Sequence, residues 1–444
     1  MTALIFTWVP VRAEDLYDRE PINYLTATPD DPISRLQDNI DNGKVKLQYE
    51  PEQGYLKSVL EALEVPVSSQ GLVFSKTSLQ QRFISAFTPR AVYFNDDTYI
   101  GWVQHGTVLE ISTVDPHLGG VFYTLPQEEV EQPRFKRQTH ECLQCHATHN
   151  TRDVPGHLVR SVFATRQGRV NFGMGTHRLD DQTPFQNRWG GWYVTGQHGA
   201  LEHLGNNFVT AANESDDEFN RAGGSNITDL STFFNVERYL TPHSDLVALL
   251  VLEHQTQMHN ILTQSHYYGQ FALRDEEIIK TMVDQLNASN KETQEVYVRT
   301  ESIQRRIDNA AERIVQSLLF VKAIEFENPV SGTSSFTAEF NQRGPVDSQG
   351  RSLRTLDLEK RLFKYPCSFL IYSSAFDSLP APVLESVYRQ LWEVLTNQNQ
   401  SEEFAHLDSE TRQAILNILL ETKNGLPPYW REAVEKPSEL ADEE

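Results

Sequence analysis

Apolar and polar positions follow different patterns in the two halves of the 444-residue chain. Between residues 90 and 125, four runs rich in β-branched and aromatic residues are separated by turn sequences, which predicts three or four antiparallel strands. From about residue 235, apolar residues recur at helical spacing, most clearly over 244–264 and 297–324. The pattern therefore predicts a mainly α fold, with a small antiparallel β element and a helical C-terminal half.

Further helices are predicted over four segments divided by glycine and proline: 276–286, 356–374, 382–396 and 409–422. A chain of this length is expected to form two or three units. We divide it into a unit 14–235, which holds the β element, and a helical unit 236–434. The final segment, 435–444, is acidic and is expected to be disordered.

One short motif carries the clearest chemical signal. Residues 142–146 read Cys142-Leu143-Gln144-Cys145-His146, which is the Cys-x-x-Cys-His pattern of covalent haem c attachment. Each thiol can form a bond to one vinyl group of a haem, and the adjacent imidazole can ligate the iron. The motif therefore predicts one covalent haem c, attached at Cys142 and Cys145, within a helical haem-binding region. His146 is predicted to be the axial ligand.

Two other uses of a Cys-x-x-Cys pair stay open. A zinc site would need further ligands, for which His140 and His149 are close in sequence, whereas the only other cysteine is the distant Cys367. A thioredoxin-like redox pair requires a preceding buried strand, but residues 132–138 are mostly polar. Cys367 itself is expected to be a small buried apolar residue.

A second unusual segment, 188–199, concentrates glycine, aromatic residues and a histidine. Glycine lets the backbone approach a flat cofactor closely, and Trp or Tyr rings can pack on a porphyrin. An arginine fork matches the carboxylate of a haem propionate. We therefore expect cofactor contacts from four residues outside the motif: Arg160, Arg188, Trp189 and Tyr193. The simpler interpretation of the segment is a tight turn with core aromatic residues.

The group on the other side of the iron decides the chemistry. A second strong ligand favours electron transfer, whereas an open position permits reaction with oxygen or peroxide. His198 and His203 are the first candidates, because they lie in or next to the aromatic segment. Met174, flanked by glycines after the motif, is the second. His254 and Met258, four residues apart on one face of a predicted helix, are the third.

Charge and the N-terminal sequence bear on partners and compartment. The net charge of −22 disfavours nucleic acid and anionic membranes as partners and favours a redox partner protein with a basic face. Residues 1–13 contain a short apolar run followed by a small-residue cleavage sequence, which predicts a signal peptide and a periplasmic or secreted product. No stretch approaches the about 20 apolar residues that a bilayer requires, so no membrane span is expected.

The motif at 142–146 resembles that of the c-type cytochromes. Together with Arg188-Trp189-Gly190-Gly191-Trp192-Tyr193-Val194-Thr195-Gly196 and residues 361–368, it resembles a group of large bacterial monohaem proteins without an established reaction. The resemblance implies a periplasmic monohaem cytochrome that carries electrons through haem iron. A haem enzyme, either a peroxidase or an oxidase, and a haem-based sensor are the alternatives. With no second Cys-x-x-Cys-His motif, a relay from a second attached haem is excluded.

Overall fold

The computed structural model describes residues 15–211, 213, 215, 219–289 and 296–435. The predicted signal peptide lies outside the described residues. So does the predicted acidic tail, apart from Glu435, which ends the last helix. Within these ranges, no helix is both long enough and apolar enough to cross a membrane.

The strands are concentrated in the N-terminal half. In the described residues they are β1 (Gly71–Val73), β2 (Arg90–Phe94), β3 (Thr98–Trp102), β4 (Val108–Asp115), β5 (Gly119–Pro126), β6 (Lys136–Arg137), β7 (Arg160–Val162), β8 (Thr176–Arg178), β9 (Trp192–Tyr193), β10 (Gly196–Gln197) and β11 (Ser331–Gly332). Seven of them form one antiparallel sheet in the order β6-β5-β4-β3-β2-β1-β9. The strands β7 and β8 pair with each other, as do β10 and β11.

The predicted mainly α fold is therefore wrong. The protein is a mixed α/β fold, with the seven-stranded sheet in its N-terminal half and helices mainly after residue 240. The four predicted apolar runs form β2 to β5. The prediction missed β1, β6 and β9, which have two or three residues each and are too short to show an alternating pattern. Because β9 joins β1 from far along the chain, tertiary contacts decide this pairing.

The helices of the described residues are α1 (Pro32–Asp41), α2 (Leu56–Ala62), α3 (Leu143–His146), α4 (Leu246–Ser289), α5 (Glu301–Leu318), α6 (Phe336–Asn341), α7 (Ser374–Asp377), α8 (Ala381–Leu395), α9 (Ser409–Thr422) and α10 (Pro428–Glu435). The segments predicted at 244–264 and 276–286 merge into α4, whose 44 residues extend about 66 Å. The helix predicted over 356–374 is wrong. Its residues form bends, an isolated bridge between Leu356 and Phe363 and a short 3-10 turn at Phe369–Tyr372, because Pro366 cannot continue a helix and restricts the residue before it.

Two hydrophobic cores lie on opposite faces of the sheet. Along β1, Leu72 packs in one core and Val73 in the other, as the alternation of side chains on a strand requires. The core that contains Leu249 of α4 is called the helical core, and the core that contains Leu36 of α1 is called the N-terminal core. Trp189 packs in the helical core with α4, across the predicted boundary at residue 235, and that division of the chain stays a prediction.

Candidate haem-attachment site

The Cys-x-x-Cys-His motif lies on α3 beside strand β5. The backbone N–H of Gln138 donates to the carbonyl of Phe122 at 2.8 Å, and its side-chain amide donates to the hydroxyl of Thr124 at 2.8 Å. These bonds tie the chain that enters the motif to β5. Leu143, which is 5% exposed, then anchors the helical turn in the N-terminal core.

The two motif thiols are free and three residues apart on one helical turn. The N–H groups of Cys145 and His146 both donate to the carbonyl of Cys142, at 3.1 and 2.9 Å. Cys145 is exposed and Cys142 is half-buried, so at least one thiol is open to an incoming haem. Burial, together with the negative charges of Glu110 and Glu141, raises the pKa of Cys142 to about 11. This disfavours the thioredoxin-like alternative, because thiol exchange depends on a readily formed thiolate.

The imidazole of His146 is held in one orientation. Its Nδ1 lies 2.9 Å from the carbonyl oxygen of Gly156. Because a carbonyl oxygen can only accept, Nδ1 carries the proton and Nε2 carries the lone pair. Burial lowers the pKa of His146 and favours this neutral form. Metal-bound histidines commonly donate their second ring N–H to a carbonyl in this way, so Nε2 is prepared to act as a ligand.

Gly156 is the residue that holds His146, and it was missed in the sequence. It returns its own N–H to the carbonyl of His146 at 2.8 Å, while the carbonyl of Pro155 accepts from Gly120 of β5 at 2.8 Å. A Cβ at position 156 would lie 2.2 Å from Oδ1 of Asn260, so glycine allows the close approach between the loop and α4. The Pro155-Gly156 pair was visible as a helix terminator, but its contact with His146 was not.

Behind Gly156, a group of buried rings fills the space between the motif and α4 and includes His259 of α4. The side chain of Asn260 forms two hydrogen bonds with the backbone of His157. Its oxygen accepts from the N–H at 2.8 Å, and its nitrogen donates to the carbonyl at 2.7 Å. The ring centroid of His157 lies 4.4 Å from that of Tyr99, 6.2 Å from Phe122 and 5.9 Å from His259. Burial lowers the pKa of His157 well below its ordinary value and that of His259 to about 3. The rings therefore form an uncharged surface on the side of the motif that faces α4.

Arg188 and Trp189, predicted to contact the cofactor, instead bind a carboxylate of α4. Arg188 forms a buried ion pair with Glu253, and Nε1 of Trp189 donates to Glu253 at 2.5 Å. Two further N–H groups of Arg188 donate to the carbonyls of Thr183 and Asp180, each at 3.0 Å. Burial raises the pKa of Glu253, and the Arg188 guanidinium opposes this shift. Contact of either residue with a haem stays a prediction.

The two preferred candidates for the distal ligand lie together in the structure. The ring centroids of His198 and His203 are 4.9 Å apart, and both rings pack against Phe185. Nε2 of His198 accepts from the backbone N–H of Asn226 at 3.0 Å. Burial lowers the pKa of His203 to about 3. No contact joins this pair to the motif histidine in the described part of the chain, so ligation of iron by either stays a prediction.

The remaining predicted contacts are spread over three places. Tyr193 lies on β9, with four strands between it and β5, and its hydroxyl donates to the carbonyl of Ala86 at 2.6 Å. Arg160, on β7, donates to the hydroxyl of Thr176 at 3.0 Å. Met174 is half-buried and packs against a small apolar cluster: Phe163, Leu204, Val209 and Phe219. The structure does not gather these three residues into one site.

The third candidate pair for the distal ligand lies on α4. Both ring nitrogens of His254 have partners, at 2.9 Å to Asp181 and 2.7 Å to Ser368. Met258 is fully buried in the helical core. These contacts assign the pair to the interior, and its role at the iron stays a prediction.

The zinc alternative lacks a converging set of ligands. Across the described ranges, no group of three or more His, Cys, Asp or Glu side chains is arranged to hold a metal ion. His140 and His149 are both exposed. Cys367 is fully buried, as predicted for a small apolar residue, and burial raises the pKa of its thiol to about 12.

The assignment of this site rests on the chain itself. Comparison with known proteins gave no matching family model, no matching curated protein and no matching solved structure.

Proposed function

We propose that this protein is a monohaem c-type cytochrome that carries electrons. The observation that supports the proposal best is the hydrogen bond from Nδ1 of His146 to Gly156, at 2.9 Å. It leaves Nε2 available on the same helical turn that carries Cys142 and Cys145. Two thiols and one neutral imidazole are the groups that covalent haem attachment requires, and all three are present. When bound, haem supplies reversible one-electron exchange.

The chain contributes the fixed geometry of the proximal side. Cys142 and Cys145 would tether the haem, and His146 would ligate its iron through Nε2. The loop at Gly156 prevents rotation of the imidazole, because it bonds both the ring and the backbone of His146. The aromatic ring of Phe122 packs against the imidazole, with ring centroids 4.8 Å apart. Such surroundings are among the means by which a protein tunes a haem potential.

The partner would be a redox protein with a basic face. The support is the net charge of −22, which attracts a cationic surface over distance and raises the rate of encounter. A periplasmic or secreted location belongs to the same proposal, because haem c attachment takes place outside the cytoplasm. Electron transfer to a cationic partner should therefore slow as ionic strength rises.

Attachment is tested by expressing the chain together with the haem c attachment machinery. We expect the purified protein to gain the mass of one haem, which resists extraction by acidified solvent. The Cys142→Ser/Cys145→Ser double variant should lose this haem. The matched control is Cys367→Ala, which changes the third cysteine and should retain it. A wild-type protein without covalent haem would refute the proposal.

Electron carriage is tested by optical spectroscopy of the haem-loaded protein in both redox states. A low-spin iron that ignores carbon monoxide and peroxide is expected, because a carrier has both axial positions filled. A high-spin iron that binds carbon monoxide or consumes peroxide would reject the carrier and favour the enzyme or the sensor.

A further inference from the structure

Three residues far apart in sequence form a continuous hydrogen-bonded chain in the helical core. Oδ2 of Asp181 lies 2.9 Å from Nδ1 of His254, and Nε2 of His254 lies 2.7 Å from the hydroxyl of Ser368. With Asp181 ionised, Nδ1 donates to the carboxylate. With the imidazole neutral, Nε2 then accepts from the serine hydroxyl. These are the contacts of a Ser-His-Asp triad, which is recognised by geometry and roles.

In a Ser-His-Asp hydrolase the serine is open to the substrate and the aspartate is buried, whereas here the serine is buried and the aspartate is partly exposed. Ser368 is fully buried, and its hydroxyl also accepts the N–H of Leu370 at 3.3 Å, where it caps a short helical turn. His254 is fully buried beneath the ring of Phe320, with centroids 4.4 Å apart. Only the Asp181 side chain, 11% exposed, reaches open space. A substrate therefore cannot reach the serine, and the end of the chain available to a ligand is the carboxylate.

Asp181 lines a cavity of about 560 Å³. This is within the range of small-molecule sites, about 300–1,000 Å³. Its floor is apolar and buried, formed by Leu250, Phe320, Phe326, Phe363 and Pro366. Its mouth carries exposed charged and polar side chains, among them Lys322, Glu325, Glu402 and His406. A cavity with an apolar floor and few fixed polar groups is suited to a ring-bearing organic molecule.

Three hydrogen bonds hold Asp181, two through its backbone and one through its carboxylate. Its backbone N–H donates to Gln257 of α4 at 3.0 Å, and its carbonyl accepts the N–H of Ile324 at 3.0 Å. His254 holds Oδ2. Among the described residues no hydrogen bond reaches Oδ1, which remains an acceptor at the cavity wall. An ionised carboxylate only accepts, so it selects a ligand group that donates.

The apolar floor favours a neutral donor over an ammonium group. The charges of the lining largely offset one another, because Glu325, Glu402 and Glu403 accompany Lys322 and Arg361, and Arg188 is paired with Glu253. An ammonium group would lose more hydration against this floor than a hydroxyl group, which meets the same acceptor. Because the floor contains three phenylalanine rings, an aromatic hydroxyl fits the site best.

We propose that this cavity binds a small neutral phenolic molecule whose hydroxyl donates to Asp181, with His254 and Ser368 acting as positioning residues for the carboxylate. The proposal does not depend on the bound haem, since no residue of the motif lines the cavity.

The test is isothermal titration of the full-length protein, with or without haem, with 4-phenylphenol and with its methyl ether, 4-methoxybiphenyl. The two probes share their rings, but only the phenol can donate. We expect the phenol to bind about tenfold more tightly, because the ether covers Oδ1 of the partly buried carboxylate without donating a hydrogen bond to it. This comparison needs no substitution and so cannot be confused with misfolding. Equal affinities for the two probes, or no binding of either, would overturn the proposal.

Two variants locate the binding. In Asp181→Asn the amide oxygen can keep the contact with His254 while an N–H group faces the cavity, and we expect the affinity for the phenol to fall about tenfold. Ala323→Phe should fill the cavity and remove binding of both probes, with folding checked by circular dichroism. The matched control, Asp284→Asn on the exposed end of α4, should bind like the wild type. Unchanged phenol affinity in Asp181→Asn or in Ala323→Phe would place the binding elsewhere and refute the proposal.

Discussion

His146 and Gly156 exchange hydrogen bonds in both directions. Nδ1 of the histidine donates to the glycine carbonyl at 2.9 Å, and the glycine N–H donates to the histidine carbonyl at 2.8 Å. The ring and the backbone of the motif histidine are therefore held by the same residue. Any change that moves Gly156 should move the imidazole with it, so stability and the state of the proposed haem should change together.

The substitution Gly156→Ala tests this coupling. The added Cβ would lie 2.2 Å from Oδ1 of Asn260 and 3.3 Å from Cβ of Thr151, so either the loop or the hydrogen-bonded Asn260 side chain must shift. We expect a loss of about 1–3 kcal/mol in the free energy of unfolding, the usual cost of overpacking. A change in the Soret circular dichroism should accompany it. The control is Gly173→Ala in an exposed turn, where the nearest atom is one side-chain oxygen at 3.2 Å and little change is expected.

Removing the imidazole tests whether Nε2 of His146 is the axial ligand. In His146→Gly the haem should stay attached through Cys142 and Cys145 but lose its low-spin spectrum. Added imidazole should restore that spectrum, because it can occupy the vacated space and bind the iron. The same titration of wild-type protein is the control. A variant that keeps the wild-type spectrum would show that His146 is not the ligand.

Substitution of Arg188 distinguishes two roles for this residue: an ion pair in the core, or a contact with a haem propionate. Arg188→Met would leave Glu253 buried without its cation, at a cost of about 3–5 kcal/mol in the free energy of unfolding. Adding Glu253→Gln should recover part of this loss, because the amide oxygen still accepts from Trp189. The surface pair of Arg35 and Asp30 provides the control.

In that control, Arg35→Met should cost less than about 1 kcal/mol, since both side chains are exposed to solvent. Chemical denaturation measures all of these variants. If Arg188→Met is as stable as the wild type but shifts the haem potential, the propionate contact predicted from the sequence is correct.

Burial of His259 should make stability depend on pH. Its pKa is lowered from 6.5 to about 3, so in mild acid the unfolded chain binds a proton that the folded chain does not. The contribution of neutral His259 to the free energy of unfolding is complete above about pH 6.5 and is lost as the pH falls towards 3. The slope is at most about 1.4 kcal/mol per pH unit. His259→Asn, which keeps an acceptor for Tyr99, should show a shallower decline between pH 6 and 4.

Urea denaturation at several pH values measures this slope. The exposed His140, changed to Gln, is the control and should leave the wild-type slope unchanged. Parallel curves for the wild type and His259→Asn would contradict the assignment of this pH dependence to His259.

The parts of the fold that could be predicted are those with a long local pattern. The runs that form β2 to β5 were visible because each shows strand composition between turn residues, and α9 begins and ends where its helical pattern does. The strands β1 and β9 were not visible, since three and two residues carry no period. Their pairing makes the sheet seven strands wide, and this turned a predicted mainly α protein into a mixed α/β one.

The candidate haem site and the cavity at Asp181 likewise have parts that the sequence could predict and parts that it could not. By itself the sequence determined the spacing of Cys142, Cys145 and His146, because residues within one helical turn need no tertiary contact to lie close together. Only the tertiary structure decided that Gly156 orients the motif imidazole and that Asp181 meets His254. Those partners are ten and 73 residues apart. A hydrogen bond across such a distance exists only after the sheet and α4 have packed, so no local pattern records it.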